Sequence, residues 1–181
     1  MTNYATGRIN SYFSRGELAL NTTEKGKALE DLICYVFSKI PGISITRRNQ
    51  LNAFLTEEVD VAFWNEKPTK GLPFMPNIIL VECKNWRNPV GSAEVAWFIQ
   101  KLRNRGRDYG ILVASNGITG CPTEITDSHM QISNALQNGI YVIVLTRREL
   151  ESLNNTDELI KLIKEKLCEL AVSGTALYDT L

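Results

Sequence analysis

The chain has 181 residues, 44% of them hydrophobic, and its 20 Lys and Arg balance its 20 Asp and Glu. That is enough apolar sequence for one substantial core, and the scattered Cys34, Cys83, Cys121 and Cys168 form no CxxC pair, which argues against a zinc ribbon or a disulfide framework. No stretch approaches the roughly 18 consecutive apolar residues of a membrane span, and the start has no apolar signal core, so a cytoplasmic chain without a membrane partner is expected.

Residues 1–22 carry Tyr4, Ile9, Tyr12, Phe13, Leu18 and Leu20 among polar residues, and read as an N-terminal arm that docks on its own domain or on a second subunit. A single domain is expected over 23–181. In its first helix Leu29, Leu32, Ile33, Val36, Phe37 and Ile40 share one stripe, with Thr22 or Thr23 as N-cap and Pro41-Gly42 as the stop. At about 100° per residue, Glu30 lies at the edge of that stripe and faces the sheet, Asp31 points to water, and Cys34 sits on the outward side.

The alternating run Glu58-Val59-Asp60-Val61-Ala62-Phe63 predicts a strand with Asp60 opposite the valines. Residues 65–76 hold three prolines and a glycine, a long connection expected to hang beside the functional site. Asn77 to Lys84 then reads as a buried strand whose only charges are Glu82 and Lys84, on one face, with Cys83 on the other. Two carboxylates and an amine on adjacent strands can hold a divalent metal against a phosphodiester; the plainer reading is a structural ion pair.

A helix follows over Ser92 to Arg105, capped by Ser92, with Val95, Phe98, Ile99 and Leu102 inward and Trp97 exposed on the opposite side. Tyr109–Ser115 and Gly139–Thr146 read as strands, with helices over Glu124–Gln137, Glu149–Asn154 and Asp157–Leu170. Alternating strands and helices predict a mixed α/β sheet covered on both faces. Between 84 and 107 the chain is strongly basic: Lys84, Arg87, Lys101, Arg103, Arg105 and Arg107 stand against Glu94 alone, a local field suited to a phosphate backbone, with Trp86 and Trp97 interleaved. His129 is the one histidine, and nothing in the sequence orients it toward a cysteine nucleophile.

In sum of motif and order, a helix bearing Glu30, a strand at about Ile43 to Arg48, Asp60, the Glu82-Cys83-Lys84 triplet, then a helix and a further strand, the chain resembles the PD-(D/E)xK nuclease superfamily, and in particular its Mrr-like restriction endonuclease catalytic domain. Val81-Glu82-Cys83-Lys84-Asn85-Trp86 looks like the family's strand end, and Gly110-Ile111-Leu112-Val113-Ala114-Ser115-Asn116-Gly117-Ile118-Thr119 is similar to its next strand and turn. Many such domains carry Gln where Glu82 stands, and Val59 replaces the literal proline before the first acid. Over about Glu24 to Leu145 the resemblance implies a restriction-endonuclease-like fold, a central mixed β-sheet flanked by helices, hydrolysing DNA in restriction or defence. It implies Mg²⁺, replaceable by Mn²⁺, on Asp60, Glu82, the Cys83 carbonyl and Glu30; Lys84 acting on the attacking water; and Gln100 orienting Lys84 or a phosphate. DNA contacts are expected from Trp86, Arg87, Lys101, Arg103, Arg105, Ser115 and Asn116. A junction-resolving enzyme and a catalytically inactive binding module of the same fold are the alternatives. A homodimer is expected from the exposed Trp97 and the apolar arm, and a separate specificity or defence subunit is a further expected partner.

Overall fold

The computed structural model describes residues 1–51 and 57–176. Its centre is a five-stranded sheet in the order β1-β2-β3-β4-β5. β1 (Ile43–Leu51), β2 (Glu58–Asn65) and β3 (Ile78–Lys84) run antiparallel, while β4 (Tyr109–Ala114) and β5 (Tyr141–Leu145) continue parallel to β3. The helices are α1 (Arg8–Glu17), α2 (Thr22–Ser38), α3 (Ser92–Asn104), α4 (Asp127–Gln137), α5 (Arg147–Glu151) and α6 (Thr156–Ser173). The expected mixed sheet flanked by helices is what forms.

α2 lies on the face of the sheet that carries Val61, Phe63, Ile79 and Val81, where Phe37 stacks on Phe63 with ring centroids 5.2 Å apart. α3 covers the opposite face. There Gly110 accommodates a close approach: a Cβ at that position would stand 2.6 Å from Leu102 and 2.7 Å from Phe98, and those side chains would have to shift. With helices on both sides, β3 must be apolar on both faces, which is why its charges come only near its end.

Several local details differ from the sequence reading. Asn21 caps α2, accepting from the Glu24 amide at 2.8 Å, so Thr22 and Thr23 are first-turn residues. Gly91 occupies the cap position of α3 and Ser92 is already helical. α4 begins at Asp127, because the preceding residues form a turn in which the Thr126 hydroxyl accepts from the Cys121 amide. Cys34 is buried at 6% exposure, since α2 is packed both by the sheet and by α1.

The arm contains a helix, α1, whose Ile9 and Phe13 are buried, and its start is stitched to α6 by Tyr4 N–H to the Asn154 carbonyl (2.9 Å) and Thr156 N–H to the Thr2 carbonyl (3.0 Å). The Tyr4 hydroxyl donates to the Val36 carbonyl of α2 at 3.2 Å, so the arm docks on its own fold.

The loop after β2 does not hang beside the site. Antiparallel pairing of Trp64 with Ile78 puts residues 66–77 at the end of β2 and β3 remote from Asp60 and Lys84. The loop is instead a piece of core, with Leu72 and Met75 buried and wrapped around Asn65. Asn65 has no exposed surface; its amide donates to the Leu72 carbonyl at 2.8 Å and its oxygen accepts from the Lys67 amide at 3.0 Å. Replacing it strands several buried carbonyls at once, so Asn65→Ala is expected to cost about 2–4 kcal/mol in urea unfolding. A loss below about 1 kcal/mol would show that the loop does not depend on it.

Candidate active site

Register brings the two acids together. Val61 pairs with Val81, so Asp60, one residue earlier on β2, falls beside Glu82, one residue later on β3, on the α3 face. One Asp60 carboxylate oxygen accepts from the Cys83 amide at 2.6 Å. Glu82, only 3% exposed, receives two ammonium groups: Lys84 at 3.0 Å on one oxygen, and Lys101 of α3 at 2.8 Å on both. Among the described residues Asp60 forms no ion pair.

The electrostatic result is uneven. Burial, reinforced by the negative charge of Glu82, pushes the Asp60 carboxyl up to about 7, against the smaller opposing effects of the Cys83 amide and the two lysines. Burial works against the Lys84 ammonium, but Glu82 outweighs it through charge and hydrogen bond, and the Lys84 pKa is raised. Cys83 points to the other face, buried, and burial drives its thiol well above the ordinary range.

The remaining expected residues divide. Glu30 is on α2, toward the opposite face of β3, and is held by Arg48 (3.4 Å) and Asn49 (3.1 Å) of β1. Asp31 does not point to free water: it pairs with Arg15 and with Arg48 at 2.7 Å, and although burial opposes it, these two arginines lower its pKa. Gln100 faces outward and donates to Asn104 at 2.7 Å, remote in role from Lys84. Lys101 and Arg105, expected to contact DNA, are inward: Lys101 is 6% exposed on Glu82, and Arg105 pairs with the buried Glu57 just before β2. The reason is helical phase. Gln100 is about 200° from Phe98, but Lys101 is only about 60° from it, on the flank of the apolar stripe. That spacing was the available signal for Lys101.

Arg87 and Arg103 are exposed as expected. Ser115 is buried and donates to the Asn85 side chain at 2.9 Å, Asn85 donates to the Lys25 carbonyl at 2.9 Å, and Asn116 donates to the Trp86 carbonyl at 2.6 Å. Ser115 and Asn116 therefore fix the segment after Lys84 to β4, and Asn85 fixes it to α2; Ser115 is buried and does not present the surface to nucleic acid that was expected, whereas Asn116 is exposed.

Lys84 stands between two small cavities. One, of about 180 Å³, is lined by Glu82, Lys84, Ala93, Glu94 and Trp97; the other, of about 370 Å³, by residues that include Thr22, Lys25, Lys84, Trp86 and Arg87 and no carboxylate. Trp97, 49% exposed, is thus a wall of the acidic cavity, and the Trp86 ring lies 5.4 Å from the Lys84 ammonium. A larger hollow of about 790 Å³ between α1 and α2 includes none of these groups.

Among the described residues no group of three or more His, Cys, Asp or Glu side chains is gathered to hold a metal ion. The pair does fit a hard cation in kind: both donors are carboxylate oxygens, and Asp60 has a backbone amide but no ion pair among the described residues.

A family model described as Mrr_cat, restriction endonuclease, matches residues 22–151. The chain belongs to this family. The match begins with α2 and ends with α5, so it contains Glu30, every strand and both lysines on Glu82, and leaves α1 and α6 outside. Comparison with individual curated proteins gives no match. Among the described residues of this Mrr-type domain, no helix is long and apolar enough to cross a membrane.

The Asp60 shift has a sign that can be tested. Between about pH 4 and 7 the folded domain keeps a proton on Asp60 that the unfolded chain has lost, so stability falls as pH rises through that window and levels off above it. Asp60→Asn removes the penalty. In chelator-containing buffer the variant is expected to be more stable than the parent by on the order of 1–3 kcal/mol at pH 8, with the gain gone by about pH 4. Urea unfolding at the two pH values checks this, and a gain independent of pH would contradict it.

Proposed function

We propose that this Mrr-type nuclease domain is a divalent-metal-dependent endonuclease that hydrolyses DNA phosphodiester bonds in restriction or defence against foreign DNA. The observation that carries the reading is the pairing of Asp60 with Glu82 across β2 and β3, with Lys84 placed between an acidic and a basic cavity.

Asp60, Glu82 and the Cys83 carbonyl are the groups that would hold Mg²⁺, or Mn²⁺ in its place. When bound, such a cation supplies Lewis-acid polarisation of the scissile phosphate. Lys84 is held in its protonated form by Glu82, which suits a donor better than a base: it orients the attacking water and offsets charge growing on the phosphate oxygens. Glu30, occupied by Arg48 and Asn49, acts at a distance by holding β1 against α2. The basic cavity with Lys25, Trp86 and Arg87 is where the strand beyond the scissile bond would run, and products carrying a 5′ phosphate are expected. Any sequence or methylation preference then comes from loops or from a separate subunit.

Part of the arm is used inside the protomer, where Tyr4, Ile9 and Phe13 are buried, but Trp97 is 49% exposed and Leu18 and Leu20 are 81% and 94% exposed, apolar surface that a second protomer would cover in a homodimer. A single site of this kind needs no second protomer to nick one strand, and light scattering of the purified chain decides between 20.3 kDa and twice that mass.

Asp60→Asn and Lys84→Ala are each expected to lower Mg²⁺-dependent cleavage by at least about 10³-fold with the thermal unfolding transition retained. Glu30→Gln is expected to cost only about tenfold. Full activity in both of the first two variants removes this reading, and a panel of linear, supercoiled and four-way-junction DNA separates a general endonuclease from a junction resolvase. Lys25→Ala and Arg87→Ala should each weaken DNA binding in chelator and reduce the slope of log affinity against log salt by about one. Unchanged slopes would take the strand out of that cavity.

A further inference from the structure

Lys101 is the buried cation that the catalytic reading does not use. Its ammonium lies 2.8 Å from each oxygen of Glu82, and both side chains are almost wholly enclosed. It is not a lysine that happens to reach inward from a mobile helix end. One turn further along α3, Arg105 donates to the Lys101 carbonyl at 3.2 Å, to the Glu57 carbonyl at 3.1 Å, and to the Glu57 carboxylate. The Asn104 side chain donates to the other Glu57 oxygen. The end of α3 is therefore tied to Glu57, the residue just before β2, and through Lys101 to β3 at Glu82.

The counter-charges are distributed asymmetrically between the two acids. Glu82 has two ammonium partners, whereas Asp60 has a backbone amide and no ion pair among the described residues. A cation entering beside Asp60 meets a carboxylate short of positive charge, but at Glu82 it meets oxygens already engaged by a buried lysine that has no solvent to retreat into. Attraction between charges buried this closely is strong, and like charges brought to the same carboxylate oppose each other in the same measure.

We propose that Lys101 is a positioning residue that serves as the resident counter-ion of Glu82: it holds the carboxylate aimed before a divalent cation arrives, and it competes with that cation for the same oxygens, so that it sets the cation concentration at which the site loads. The inference rests on the metal-dependent reading above, and concerns how that site is regulated. By reciprocity, whatever loosens the Lys101 contact tightens cation binding, and bound cation loosens the contact by the same factor.

The test is binding of Mn²⁺ alone to the DNA-free chain, followed by calorimetry. Lys101→Met keeps the length of the side chain and removes its charge, and is expected to tighten Mn²⁺ binding by about tenfold or more. Lys101→Arg keeps the charge and should stay within about threefold of the parent, which a role in packing alone would not produce. If Lys101→Met does not fold, Lys101→Gln makes the same comparison with a neutral donor facing Glu82. Thermal unfolding gives the second readout: the neutral variants should be less stable than the parent in chelator and should gain more from saturating Mn²⁺. If parent and Asp60→Asn bind Mn²⁺ equally or not at all, the metal reading itself fails and the counter-ion role with it. If Asp60→Asn weakens Mn²⁺ binding while the neutral Lys101 variants bind no more tightly than the parent, the metal reading stands and the counter-ion role is overturned.

Discussion

Two carboxylates at adjacent positions of a sheet, both withdrawn from water, are the constraint on which the rest of this structure turns. Asp60 and Glu82 repel each other, and burial raises the cost of keeping both ionised, which is visible in the Asp60 carboxyl displaced to about 7. The fold answers with Lys84 from the same strand, Lys101 from the covering helix and the Cys83 amide from the strand backbone. Each answer fixes a piece of architecture. Lys101 requires α3 to lie close over β3 and β4, an approach that glycine at position 110 accommodates.

The same demand explains why charge is separated on either side of Lys84. Carboxylates gather where β2 and β3 meet under α3, while Lys25, Trp86 and Arg87 gather where the first turn of α2 meets the segment after β3. A phosphodiester needs both surroundings at once, positive charge for its own anion and negative groups to retain a cation. The Asn85 and Asn116 hydrogen bonds hold the segment that separates them. The polar residues at the end of β3 thus position the cleft walls, and the family match spans all of them.

Glu30 shows how a residue of the right type can be diverted. It lies at the edge of the α2 stripe as helical phase requires, yet Arg48 and Asn49 of β1 claim its carboxylate, and Arg48 also claims Asp31. The same cluster ties α1 to α2 through Arg15. What would be an open acid on an isolated helix becomes part of the join between the edge strand and the helical layer.

Periodicity and composition by themselves determined the order of strands and helices, the burial of β3, the shared face of Glu82 and Lys84, and the family motif, because each depends on residues close in the chain and on the fixed periods of strand and helix. The N-terminal arm was legible as apolar but not as a helix, since its docking partners, Val36 and Asn154, are far away in sequence. The tertiary structure decided which cations serve the site: helical phase puts Lys101 on the flank of the apolar stripe, but its pairing with Glu82, and that of Arg105 with Glu57, come only from the packing of α3 on the sheet. It decided too that the proline-rich loop lies away from the chemistry, because antiparallel register sends the end of β2 in the direction opposite to the end of β3. Side-chain partners separated by long stretches of chain are set by register and by helix placement, and neither is written in any local pattern.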